Sequence, residues 1–173
     1  MSDRDAAWRI ALARRDDTGD LMAMIRGLAQ YERLEHLVVA DEASLAANLF
    51  GESPAAEALI AREVGKSGRA VGFALFFHTF STFLGRRGLW LEDLFVDPAA
   101  RGRGLGKRLI GEVAAIARSR NCGRFEWAVL DWNAPAIAFY ESMGATLLPE
   151  WRLARVTGDA LRRFGTKDAP EAS

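Results

Sequence analysis

The sequence predicts a mixed α/β (α+β) domain, built on a mostly antiparallel sheet with helices on both faces. The first reason is that strand-like and helix-like segments alternate along it. The second is bulk: 173 residues, half of them hydrophobic and 27% charged, suit one compact core and exclude a disordered or fibrous chain. A chain of this length buries roughly 70% of its unfolded surface, so the core needs no staples.

Residues 8–13 (WRIALA) open the chain as a short strand. Asp17 or Thr18 then caps a helix to about residue 34, where Leu21, Met24, Ile25 and Leu28 recur at three- and four-residue steps and form one buried stripe. Residues 41–50 read as a second short helix. A strand over 58–64 turns at Gly65-Lys66-Ser67-Gly68 into a long apolar strand over 70–80, and a turn near Gly85 leads to a third over 88–97, closed by Pro98. A glycine-dense loop follows at 102–106. Beyond it Leu109, Ile110, Val113, Ile116 and Ala117 mark one face of a helix to about Ser119. A strand over 124–131, a helix over 133–143 stopping at Gly144, a last strand over 145–156 and a helical turn over 157–164 complete the pattern. The expected organisation is a flexible 1–7, a single domain over 8–164 and a polar tail over 165–173.

Charge and cysteine content exclude several functions. Lys plus Arg and Asp plus Glu number 23 each, so no global basic field exists to hold a nucleic acid. Cys122 is the only cysteine and can form neither an internal disulfide nor a multi-thiolate zinc site. With only His36 and His78 beside it, no metal is expected. The first ten residues, MSDRDAAWRI, are charged and lack the apolar core of a secretory signal. No apolar run approaches the ~20 residues that span a bilayer. The expectation is a soluble cytoplasmic protein with no membrane or nucleic-acid partner.

The most informative stretch is Asp-Pro-Ala-Ala-Arg-Gly-Arg-Gly-Leu-Gly-Lys at 97–107. A strand ends, three glycines follow at alternate positions, and a helix begins. Glycines let backbone N–H groups turn toward one point, and the helix adds its positive end. That geometry suits a pyrophosphate, with Arg101, Arg103, Lys107 and Arg108 supplying positive charge. A dinucleotide fingerprint needs Gly-x-Gly-x-x-Gly, and Gly102, Gly104 and Gly106 do not have that spacing. A P-loop needs four residues between its glycines and Ser or Thr after the lysine, and neither is present.

Here the sequence resembles the GNAT N-acetyltransferase superfamily, whose acetyl-CoA motif, Arg/Gln-x-x-Gly-x-Gly/Ala, is matched in register by Arg101, Gly104 and Gly106. Five further segments resemble its diamine (spermidine/spermine) branch and relatives acting on thialysine-like amines. They are LAQYE at 28–32, WLEDLFV at 90–96, VLDWN at 129–133, FYESMGA at 139–145 and EWR at 150–152. The resemblance implies the GNAT fold, acetyl-CoA as co-substrate, a small amine as acceptor and a homodimer. It places the cofactor against Leu94, Phe95, Val96, Arg101, Gly102, Arg103, Gly104, Leu105, Gly106, Lys107, Asn133, Ala134, Pro135, Ala136 and Tyr140. It implies a bulge near residues 94–96 that splays two parallel strands, so that a Phe95 or Val96 N–H stabilises an oxyanion. The acceptor is placed near Tyr31, Glu32, Glu92, Asp93, Glu126, Trp127 and Ala128, with Glu150 and Trp151 aligned less securely because the chain is shorter there.

Acetylating an amine requires that it lose a proton. An alkylamine of pKa near 10.4 is neutral about once in two thousand at pH 7, a handicap of roughly 4.6 kcal/mol. A positioned carboxylate offsets part of it, and Glu92 is the candidate. Strand alternation places Glu92, Leu94 and Val96 on one face and Asp93 on the other. Tyr140 is the candidate acid for the leaving thiolate, since a phenol of pKa ~10 can protonate one whose conjugate acid lies near ~8–9. Cys122 is expected to be structural and both histidines incidental, so transfer is expected to be direct, in a ternary complex. Peptide or protein N-acetylation and a non-catalytic CoA-binding sensor are the alternatives.

Overall fold

A computed structural model describes residues 7–65 and 68–165. The flexible start expected over 1–7 falls almost wholly outside them, as do Lys66 and Ser67 of the expected turn and most of the tail. The chain divides into two compact units, Met1–Ala128 and Val129–Ser173.

The first unit holds one five-stranded sheet of order β1-β2-β3-β4-β5, formed by Trp8–Leu12, Glu57–Glu63, Ala70–Ser81, Arg86–Val96 and Phe125–Trp127. The first three pairings are antiparallel and the last is parallel, so the sheet is mixed and mostly antiparallel, as expected. Helices α1 (Thr18–Glu32) and α2 (Glu42–Phe50) precede β2, and α3 (Leu105–Ser119) crosses from β4 to β5. The crossover is required because parallel neighbours cannot be joined by a tight turn.

Each helix forms for local reasons. The α2 start carries a capping box: the Ser44 amide donates to Asp41 Oδ1 at 2.7 Å and the Asp41 amide to Ser44 Oγ at 3.1 Å. The α1 start differs from the expected cap. Asp17 is its N-cap but makes no side-chain cap bond, because its carboxylate accepts from the Arg14 amide and from Arg62. Leu21, Met22, Met24 and Ala29 are buried on α1, and Ile25 and Leu28 pack at the edge of the same cluster.

The sheet is covered on both faces, as the pattern predicts. On one face Leu21, Met24 and Leu49 from the helices meet Ala58, Ile60, Phe73 and Phe95 from the strands. On the other, α3 buries Leu105, Leu109, Ile110, Val113 and Ala117. Gly72 shows how close that contact is. A Cβ there would stand 2.9 Å from the Phe95 carbonyl oxygen and 3.1 Å from Leu109 Cδ1. Hydrophobic burial of this kind contributes roughly 1.5–3 kcal/mol for each large side chain.

In the second unit α4 (Ala134–Ser142) and α5 (Gly158–Arg163) form near the predicted places. The strand expected over 145–156 does not form: those residues are turns and irregular chain, largely exposed. Pro149 has no N–H to give a ladder, and a strand without a partner leaves its backbone groups unpaired. The strand expected over 124–131 also shrinks, to Phe125–Trp127. Among the described residues no helix is long and apolar enough to cross a membrane.

Candidate active site

The site in the first unit starts where β4 changes its pairing. Leu75 pairs with Asp93 and Phe76 with Leu91, so Glu92 is an extra residue, a β-bulge. The expected alternation across this strand is therefore corrected. Leu91, Leu94 and Val96 lie opposite Phe76, Ala74 and Gly72, the face covered by α3. Asp93 and Phe95 lie opposite Leu75 and Phe73, the face covered by α1. Trp90 shares that second face, and its Nε1 donates to Glu92 Oε2 at 2.8 Å. The bulge thus turns Glu92 and Asp93 to the same side. It sits before the 94–96 position that the resemblance implied.

The bulge also ends the parallel pairing. β5 pairs with β4 only at Leu89–Phe125, Trp90–Glu126 and Leu91–Trp127. Beyond Leu91, β4 continues to Val96 paired with β3 alone. On that side β4 has no strand partner among the described residues beyond Leu91, and the Val96 carbonyl accepts from Arg101 Nε.

Glu32, at the end of α1, joins the two strand carboxylates electrostatically. Burial pushes the Asp93 carboxyl up to about 6, and the charges of Glu92 and Glu32 push it the same way. Burial likewise raises Glu32. Three acids with two held above their ordinary range form a negative, partly dehydrated surface, which favours a cationic visitor. Glu126 is engaged differently, in a 2.7 Å ion pair with Arg124 Nε, and Trp127 packs on Phe125 with ring centroids 5.0 Å apart.

The glycine loop follows β4. Asp97 fixes its entry, accepting from the Ala99 amide at 2.8 Å and from Arg69 at 2.9 Å. Gly102 and Gly104 have φ of +73° and +84°, which non-glycine residues rarely adopt. A Cβ on either would meet nothing within 4 Å, so the space above them is open. Gly104 is the N-cap of α3, and the first amide of that turn with an internal acceptor is Arg108, bonded to the Gly104 carbonyl at 3.1 Å. Among the described residues the amides of Gly104 to Lys107, at the start of α3, have no backbone acceptor and can hold an anion. The arginines turn elsewhere. Arg101 Nε donates to the Val96 carbonyl at 2.9 Å with its guanidinium over the Tyr31 ring, and Arg103 lies over Trp8.

In the second unit Asn133 caps α4 through a 3.3 Å bond from the Ala136 amide, and Pro135 occupies the first turn. Ala134 and Pro135 are exposed, while Tyr140 is half-buried beside Phe139, ring centroids 5.3 Å apart. Glu150 and Trp151 lie in the irregular segment, Trp151 exposed. Trp90, which bonds Glu92, is not among the candidate residues that the sequence singled out.

A bulged strand whose parallel pairing stops at Leu91, leading into a glycine loop at a helix start, is the arrangement expected of an acyltransferase that takes its acyl group from a CoA thioester. The chain belongs to the acetyltransferase (GNAT) family, whose model matches residues 25–145, and it is an acetyltransferase. It is 41% identical to a thialysine N-epsilon-acetyltransferase from Mus musculus, covering 92% of this chain and 98% of that protein. It is 35% identical to an L-ornithine N5-acetyltransferase from Arabidopsis thaliana, covering 89% and 86%. Among solved structures, an integron cassette protein from V. cholerae superposes with a TM-score of 0.77 at 28% identity, covering 93% of this chain and 99% of that one.

Proposed function

We propose that this enzyme moves the acetyl group of acetyl-CoA to a primary amine of a small cationic molecule, a lysine-like amino acid or a polyamine or diamine. The observation that carries the reading is the shared orientation of Glu92 and Asp93 across the bulge, with Glu32 adding to their field. An ammonium ion gains from three carboxylates, and the first step of its acylation, loss of a proton, needs one of them. The relatives named for thialysine and L-ornithine support an amino acid bearing a side-chain amine.

When bound, acetyl-CoA supplies the acetyl group as a thioester. The open space over Gly102 and Gly104 and the free amides up to Lys107 fit its pyrophosphate. The side of β4 with no strand partner beyond Leu91 suits its amide-bearing arm, apart from the Val96 carbonyl that Arg101 holds. Trp90 holds one oxygen of Glu92, leaving the other to accept the amine proton. Glu32 and Asp93 attract and orient the cation, with Glu126, Trp127 and Ala128 along its flank. The resemblance assigns Asn133 to Ala136 to cofactor binding and gives Tyr140 the proton destined for the leaving sulfur. The family match runs across both units, which supports a single catalytic domain. The exposed Leu147, Leu148, Trp151 and Leu153 support a homodimer, and the lone Cys122 fits a reducing, cytoplasmic setting.

The test is a competition. The enzyme is given acetyl-CoA and an equimolar mixture of lysine-like amino acids, polyamines and a peptide with a free N-terminus, and products are read by mass spectrometry. Acetylation confined to side-chain or terminal amines of the small molecules is expected. Acetylation of the peptide alone would overturn the reading, and none at all with tight CoA binding would mark a sensor.

A further inference from the structure

The two arginines of the glycine loop do not point into the cradle that follows them. Arg101 turns back, and its Cζ lies 4.9 Å from the Tyr31 ring centroid and 5.8 Å from that of Phe95. Its Nε is committed to the Val96 carbonyl, the last residue of β4. Arg103 lies 4.9 Å from the Trp8 ring. A guanidinium over an aromatic face is attracted by the ring's quadrupole, most strongly when partly dehydrated.

Helix α1 is shaped for this arrangement. Gly27 and Tyr31 are one turn apart and share a face. A Cβ on Gly27 would stand 2.9 Å from Phe95 Cζ, so the missing side chain lets Phe95 lie against the helix. One turn later the Tyr31 ring covers Arg101. The helix that carries Glu32 is thereby joined, through Phe95 and Arg101, to the first residue of the loop.

We propose that Tyr31 is a positioning residue for acetyl-CoA: its ring face holds the Arg101 guanidinium and so fixes the turn from which the amides of 104–107 are presented. The proposed role belongs to the ring and stands beside the amine contact that the family resemblance implied. The inference rests on reading residues 102–107 as the pyrophosphate cradle. A loop already held in its binding shape loses less entropy when the ligand arrives, and that gain appears in cofactor affinity.

The experiment measures CoA binding by calorimetry for the wild type, Tyr31→Phe, Tyr31→Leu and Gly104→Asp, with circular dichroism as the check on folding. Tyr31→Phe should bind CoA within about twofold of the wild type, and Tyr31→Leu about three- to tenfold more weakly. Tyr31→Met replaces the leucine variant if that one does not fold. Normal CoA affinity in a folded Tyr31→Leu, or CoA binding by Tyr31→Phe as weak as that of Tyr31→Leu, would overturn the proposal. Gly104→Asp separates the two ideas. If it binds CoA normally, the cradle reading falls and takes this proposal with it. If it loses CoA while Tyr31→Leu does not, only the role of Tyr31 falls.

Discussion

Trp90 donates its indole N–H to the carboxylate of Glu92, two residues along the same strand, at 2.8 Å. In a regular strand residues i and i+2 point the same way, and here the bulge begins at the second of them. The bond takes one carboxylate oxygen and sets the direction of the other. Trp90→Phe keeps a ring and removes only the donor. We expect kcat to fall about three- to tenfold, the scale of one hydrogen bond to a charged group in a partly exposed site. CoA affinity should not change. Unaltered kcat in steady-state assays would show that Glu92 needs no such support.

Asp93 should make the fold sensitive to pH in an unusual direction. Its carboxyl is raised from 3.8 to about 6, so the native state binds a proton more tightly than the unfolded one. Stability from this group is full below about pH 4 and is lost as pH rises through about 6. Asp93→Asn removes the loss. It should be more stable than the wild type at pH 7–8, by on the order of 2 kcal/mol, and should lose that advantage near pH 4. Thermal melts across pH check this, and a variant less stable at pH 8 would contradict it. By the same linkage, an amine that binds beside Asp93 should displace its proton near pH 6. The proton release is visible as a dependence of the calorimetric heat on buffer ionisation.

How much of this was legible in the sequence can be seen along β4. The strand was evident, and so was the turn into the glycine loop, because Pro98 and three spaced glycines are strong local signals. Even alternation hid the bulge from the local pattern, although the family resemblance implied one slightly further along the strand. Its trace is nevertheless present: Leu89 and Leu91 keep one phase, Leu94 and Val96 the opposite one, and the slip falls across Glu92 and Asp93. The stack of Arg101 on Tyr31 left no such trace, since a contact across 70 positions depends on how α1 lies on the sheet. The segment over 145–156 has the apolar content of a strand. Strand formation also needs a neighbour, which local sequence does not report.

Tyr140 and Cys122 separate direct transfer from a covalent relay. Tyr140→Phe keeps the packing against Phe139 and removes the hydroxyl, so fold and CoA affinity should survive while turnover falls by roughly 10²–10⁴. Cys122→Ala should turn over normally, because an amine that attacks directly needs no enzyme thiol. An acetyl group trapped on Cys122, detected by intact-protein mass spectrometry, would contradict the direct route.

The central claim is that the acidic face of the bulged strand delivers a small amine for acetylation. Its most direct measurement is the initial rate of thiol release from acetyl-CoA against amine concentration and pH, in the wild type and in Glu92→Gln. The account predicts saturable, amine-dependent release by the wild type, with intersecting initial-rate lines. It also predicts a deficit in Glu92→Gln that is deepest near pH 7 and narrows as solvent deprotonates the amine at higher pH. Release that ignores the amine, or a Glu92→Gln variant as fast as the wild type at neutral pH, would contradict it.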